Sequence, residues 1–142
     1  MPVEGRVVRA STVWRWWKHS PRRAANCFRL AGDRYLDPGS GLGAFANHGC
    51  QPNVRVVAHG DRLELTAIRR ILPGDEVLHD YATLLGADDE WSMRCRCGWE
   101  GCRGRVARFD RLPGPVLRDY QAIGAIPRFI LRTAESSPPP RR

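Results

Sequence analysis

The segment RCRCGWEGCRG sets Cys95, Cys97 and Cys102 in a C-x-C-x4-C pattern inside a glycine-rich loop, where the backbone turns freely enough for three thiols to converge. Thiolates spaced so closely are zinc ligands by type. A structural zinc site is closed by four soft or borderline donors in a tetrahedron, with Zn–S distances of about 2.3 Å. Three cysteines therefore call for a fourth donor, and the candidates are Cys27, Cys50 and the four histidines. Cys50 lies in NHGCQPN, residues 47–53, a run that suits neither a buried helix nor a buried strand. That run is either an ordinary polar turn or a site. One hypothesis joins both peculiarities: the loop NHGCQPN supplies the fourth thiolate across the fold. Nucleophilic catalysis by a cysteine of the cluster is the weaker reading, because such nucleophiles stand alone beside a base.

These residues must be positioned by a chain of 142 residues with 42% hydrophobic content, enough for one core and short for two. No apolar run approaches the length of a bilayer span, and the start MPVEGRVVRA lacks a signal-peptide core. A cytoplasmic protein with no membrane association is expected. In that reducing compartment the five cysteines, an odd number, read as ligands and not as disulfides. The net charge of +8 invites a nucleic-acid partner, yet the arginines are spread along the chain and not gathered between aromatic stacking positions. Direct nucleic-acid binding is not expected, and the oligomeric state leaves no mark in the sequence.

The local patterns predict a mostly β chain with late helices. A short strand in Gly5–Val13 runs into a turn or helix near Ser11. Trp14, Trp16 and Trp17 are expected to pack under a helix end that Pro21 terminates. CFRLAGDRYLDP reads as strand, turn and strand, and VRVVAHGDRLELTAIRRI as a hairpin about Gly60 and Asp61. LPGDEVLHDY gives a turn and a short strand, ATLLGADDEWSM a polar loop, and LPGPVLRDYQAIGAIPRFILRTA a helical pattern broken at Pro127. ESSPPPRR, residues 135–142, has the composition of a disordered tail.

Three motifs stand in order: NHGCQPN, then GDEVLHDY at Gly74 to Tyr81, then CRCGWEGCRG at Cys95 to Gly104. Together they resemble the SET domain and its post-SET segment, a family of protein-lysine methyltransferases that use S-adenosylmethionine, whose patterns are NHxCxPN, GEExxxDY and CxCxxxxCRG. FDRLPGPVLRDYQAIGAIPRFIL is similar to the C-terminal helices of short bacterial members. The resemblance covers the chain from about Tyr35 onward and, more loosely, from Gly5.

The resemblance implies a SET fold of small sheets with knot-like threading over residues 5–94, a post-SET zinc segment over 95–111, a helical segment over 112–134 and the tail beyond. It implies that Asn47 and His48 meet the cofactor and that Cys50 joins Cys95, Cys97 and Cys102 around Zn2+. Tyr81 would be catalytic, its hydroxyl near the transferring methyl, and so also part of the cofactor site. Asp80 and Glu76 would be structural, and Pro52 and Asn53 would shape the turn. The implied function is methyl transfer to a lysine amine of a protein substrate. The alternative is a catalytically inactive, zinc-stabilised protein-binding module. His79 stands where the family commonly carries Phe or Tyr, a choice that helps set how many methyl groups are added, so the degree of methylation stays open. The family's initial GxG strand, which binds the cofactor, has no counterpart here. Asp88, Asp89 and Glu90 could form an acidic groove that attracts a basic substrate.

Overall fold

The computed structural model describes residues 1–136. Its strands are β1 (Pro2–Val3), β2 (Arg6–Arg9), β3 (Phe28–Arg29), β4 (Arg34–Asp37), β5 (Asn47–His48), β6 (Val54–His59), β7 (Arg62–Ala67), β8 (Leu78–His79), β9 (Met93–Arg94) and β10 (Arg105–Val106). The helices are α1 (Ala10–His19), α2 (Pro21–Ala25), α3 (Gly114–Ala122) and α4 (Arg128–Ser136). Short strands in four small sheets with α3 and α4 at the end are the architecture expected from the sequence, whereas α1 and α2 stand early, between β2 and β3.

The hairpin of β6 and β7 follows from alternation. Val54, Val56, Leu63 and Leu65 are buried while Arg62 and Glu64 are exposed, a period of two that gives the pair one apolar face. Gly60, at φ 62°, opens the two-residue turn from His59 to Arg62, a backbone region that favours glycine. Residues Pro2–Val3 add β1 to the other edge of β7. A second sheet sets β4 between β2 and β3, and β9 pairs with β10. In the remaining pair, β5 and β8 run parallel, with Asn47 opposite Leu78 and His48 opposite His79. Gly49 packs closely there, because a Cβ on it would stand 3.0 Å from the Leu78 side chain, which would have to shift.

The core has two parts. One joins Leu30, Leu36, Val56, Leu63 and Leu65 beneath the sheets. The other gathers Cys50 and Cys95 with Val106, Phe109, Tyr120 and Ile130, so the late helices close over the cysteine loop. These two clusters meet the site from opposite ends of the sequence.

Several local expectations are corrected. Trp14 and Trp17 do not pack under a helix end; they are 65% and 38% exposed, because α1 turns the small residues Ala10 and Val13 toward the core instead. Pro21 does not merely end a helix. It opens α2 at the first turn, where its missing N–H is no loss. Inside the expected polar loop, Tyr81–Leu84 form a tight helical turn in which Ala82, Thr83 and Leu84 are buried. Glu135 and Ser136 close α4, and the rest of the expected tail, 137–142, lies outside the described residues.

Candidate functional site

The Asp80-Tyr81 pair is held by a turn that its own side chains build. The Asp80 carboxylate accepts the Ala82 amide at 3.1 Å, and the Thr83 hydroxyl donates to the Asp80 carbonyl at 2.7 Å. The same carboxylate, with no exposed surface, accepts Arg103 Nη2 at 2.7 Å and the Tyr120 hydroxyl at 2.9 Å. A buried carboxylate needs this many donors. Asp80 thus joins the turn, the cysteine loop and α3 in one network, the structural role expected of it.

Asn53 clamps the opposite side. Its Oδ1 accepts the Leu78 amide at 2.8 Å and its Nδ2 donates to the Glu76 carbonyl at 2.7 Å. NHGCQPN is therefore fastened to β8 by a side chain as well as by strand pairing. Asn47 keeps an exposed side chain whose Nδ2 donates to Glu76 Oε1 at 2.6 Å. His48 is buried, and its Nδ1 accepts the Tyr81 amide at 3.2 Å. That bond assigns the proton of the neutral ring to Nε2, which lies 3.5 Å from Cys50 Sγ. Burial lowers the His48 pKa, the Arg103 charge lowers it further, and Asp80 opposes both.

The Tyr81 hydroxyl donates to the Ala46 carbonyl at 3.2 Å. Burial, and then the Glu76 charge, raise its pKa, so the phenol stays protonated at neutral pH. Its ring lies 4.7 Å from that of His79 and 5.4 Å from that of His48. His79 stacks on Phe28 at 5.6 Å, and burial lowers its pKa to about 3, with His48 adding to the shift. The ring is neutral, and its buried Nδ1 has no hydrogen-bond partner among the described residues.

His79 and Tyr81 line a cavity of about 710 Å³ whose other aromatic walls are Trp14, Trp17, Phe28 and Trp91. The exposure of the two tryptophans on α1 is thus exposure toward this cavity and its mouth. Four carboxylates line it against one guanidinium, that of Arg29, in a chain of net charge +8. Asp88 and Asp89 both pair with Arg29, at 2.8 and 2.7 Å, so the acidic groove expected from the sequence is partly neutralised. Glu90 and Asp33 add to the surplus, although Arg9, outside the cavity, pairs with Asp33.

Across the Asp80 network, the ligand atoms of Cys50, Cys95, Cys97 and Cys102 lie within 4.8 Å of one another. Among the described residues this is the one such group. The Sγ atoms of Cys50 and Cys95 are 3.7 Å apart, and a zinc tetrahedron with bonds of about 2.3 Å has edges of about 3.8 Å, so the donor set fits the ion. The Arg103 amide points at Cys50 Sγ (3.5 Å) and the Gly104 amide at Cys102 Sγ (3.4 Å), contacts that favour thiolates. Burial raises the Cys50 and Cys95 thiols, whereas backbone amides, that of Cys50 first, bring Cys97 to about 6. Cys27 stands apart on the cavity wall, bonded to the Arg23 carbonyl at 3.3 Å.

The structure therefore brings together Asn47, His48, Tyr81 and the four cysteines in one continuous region. Sequence reasoning missed the tryptophan walls and the Tyr120 hydroxyl on Asp80. Arg103 was visible as the arginine of CRG, but its acid partner was not.

The SET domain family matches residues 7–82. The chain is 34% identical over 90 residues to the histone-lysine N-methyltransferase trr of Drosophila melanogaster, covering 59% of this chain and 4% of that protein. It is 37% identical over 79 residues to an H3 lysine-9 specific histone-lysine N-methyltransferase of Fusarium mangiferae, covering 45% of this chain and 23% of the relative. The solved structure of KRYPTONITE in complex with mCHG DNA and SAH superposes with a TM-score of 0.53 at 27% identity, over 72% of this chain and 22% of that one. This chain thus spans less than a quarter of the length of each. The family match covers more than half of the residues: the chain belongs to the SET domain family.

Proposed function

We propose that the protein is an S-adenosylmethionine-dependent protein-lysine N-methyltransferase of the cytoplasm, with Tyr81 as its catalytic residue. The observation that carries this reading is the placement of Tyr81 on the wall of an aromatic cavity lined by four carboxylates, with its hydroxyl bonded to Ala46, the residue before the Asn47–His48 strand. The histone-lysine N-methyltransferases among its relatives and the SAH named in the KRYPTONITE structure support the substrate class and the cofactor.

A lysine side chain is an apolar stem with a cationic end, and the cavity answers both parts. Its surplus carboxylates draw the ammonium to the mouth, and the tryptophan and Phe28 faces take the stem. Farther in, few charges are available to keep the amine protonated. A free lysine has a pKa of about 10.4, and desolvation lowers it, which favours the neutral nucleophile that methyl transfer needs. The neutral His79 ring adds no positive charge there, and by the SET resemblance it stands at the position that helps set the degree of methylation. Tyr81, protonated and fixed by Ala46, presents its oxygen to orient the amine. When bound, the cofactor supplies a methyl group on a sulfonium, and the protein's task is alignment and the exclusion of water. Asn47 and His48 would hold it, with His48 kept neutral and oriented by the Tyr81 amide. Residues 95–111 would act as a post-SET zinc segment, Cys50, Cys95, Cys97 and Cys102 binding the ion that ties NHGCQPN to the loop.

The test is calorimetric titration of the zinc-loaded chain with S-adenosylmethionine, with Asn47→Ala alongside, followed by mass spectrometry of a basic protein incubated with both. Saturable binding weakened in the variant, together with lysine-borne methyl groups, is the expected result. A folded, zinc-loaded chain that neither binds the cofactor nor transfers methyl would leave the protein-binding module as its function.

A further inference from the structure

We propose that the cleft walled by Arg103, Arg105, Arg108 and Arg111 is a binding site for the dianion of a phosphate monoester, separate from the methyl-transfer cavity. The cleft has a volume of about 560 Å³ and, among the described residues, shares no lining residue with that cavity and has no carboxylate in its lining. Two of its four guanidiniums are paired from outside it, Arg103 with Asp80 and Arg108 with Asp110 at 2.8 Å. Arg105 reaches only the Ser92 hydroxyl, and the Arg111 side chain has no hydrogen-bond or ion-pair partner among the described residues. Two exposed guanidiniums, those of Arg105 and Arg111, are therefore left at one cleft without a countercharge.

A second observation points the same way. Arg103 Nη1 is buried without a hydrogen-bond partner among the described residues, although Nη2 of the same group is fully engaged on Asp80. A guanidinium N–H left unpaired is costly, and a group that engages the rest of the Arg103 fork from the cleft would offset that cost. The planar fork of arginine matches carboxylate and phosphate oxygens in pairs, and the two unpaired guanidiniums match the two negative charges that a phosphate monoester carries on one group. The four side chains converge on one compact cleft and do not form a stripe, which suits a single doubly charged group better than an extended nucleic-acid backbone. The inference does not depend on the methyl-transfer reading, since it rests on other residues.

The experiment is thermal unfolding of the zinc-loaded chain in increasing inorganic phosphate, against chloride at equal ionic strength. A Tm that rises with the logarithm of phosphate concentration is expected, and Arg111→Gln should weaken the apparent affinity roughly tenfold. Arg15→Gln, an exposed arginine on α1 far from the cleft in sequence and in lining, should leave the effect unchanged. A Tm indifferent to phosphate overturns the proposal. So does a rise that persists in the Arg105→Gln, Arg111→Gln double variant, which would show diffuse attraction to a basic surface. A short DNA duplex that binds through the same arginines when phosphate does not would overturn the monoester assignment in favour of nucleic acid.

Discussion

The carboxylate of Asp80 lies 2.7 Å from Nη2 of Arg103 with none of its own side chain exposed, so one ion pair joins the turn of Tyr81 to the loop of the cysteines. Removing the acid leaves a guanidinium in a largely buried place with nothing opposite it. Asp80→Asn should lose about 3–5 kcal/mol of stability in urea unfolding. Tyr120→Phe, which deletes a single donor to the same carboxylate, should lose about 1 kcal/mol. Equal losses in the two would show that the pair carries no special weight.

Tyr81→Phe keeps the ring contacts with His48 and His79 and removes only the hydroxyl. Its kcat for lysine methylation should fall on the order of 10²-fold through lost positioning, a larger effect than on cofactor affinity. Steady-state kinetics paired with calorimetry separates the two. A variant with unchanged kcat would remove Tyr81 from the chemistry.

Cys50→Ser should reduce bound zinc below one ion per chain and lower Tm, because the thiolate that ties residues 47–53 to the loop is gone. Chelation of the wild type should do the same and should expose the cysteine loop to protease. Elemental analysis with limited proteolysis checks both. Full zinc content in Cys50→Ser would break the four-cysteine assignment.

His79 carries a pH signature. Burial, reinforced by His48, lowers its pKa from 6.5 to about 3, so the unfolded chain takes up this proton long before the folded one. The stability that depends on the neutral ring is complete above pH 6.5 and falls as the pH drops from there toward about 3. The slope is about 1.4 kcal/mol per pH unit for one proton. His79→Phe should flatten the profile by that amount between neutral pH and about pH 5. Urea midpoints of both chains across this range decide it, and parallel profiles would contradict a buried neutral His79.

Much of this site is legible in the sequence because its signals are local. Cys95, Cys97 and Cys102 lie within one loop, and Asn, Gly and Pro around Cys50 mark a turn whatever the fold. The hairpin of β6 and β7 announces itself through Val54, Val56, Leu63 and Leu65, whose alternation needs no partner to be seen. What escaped depends on distant partners. Asp88 looks like a free acid until Arg29, 59 residues earlier, is placed 2.8 Å from it. Trp14 and Trp17 look like core because tryptophan usually is, whereas here the cavity opens on the side of α1 that carries them. Thr83 and Leu84 read as loop residues because the buried Asp80 that organises their turn cannot be told from an exposed one by type.

The parallel pairing of β5 with β8 also fixes when the protein can become itself during synthesis. The hairpin of β6 and β7 needs only its own residues and can form as soon as they leave the ribosome. Asn47 and His48 must wait for Leu78 and His79, and Cys50 waits for Cys95, 45 residues further on. Until Leu78 and His79 emerge, NHGCQPN is an unpaired polar segment, and until the last cysteine emerges its thiol lacks the partners of the four-cysteine group. The nascent chain therefore has an early β half and a late metal-binding half, and a pause before Cys95 would prolong the interval in which that thiol is open to oxidation.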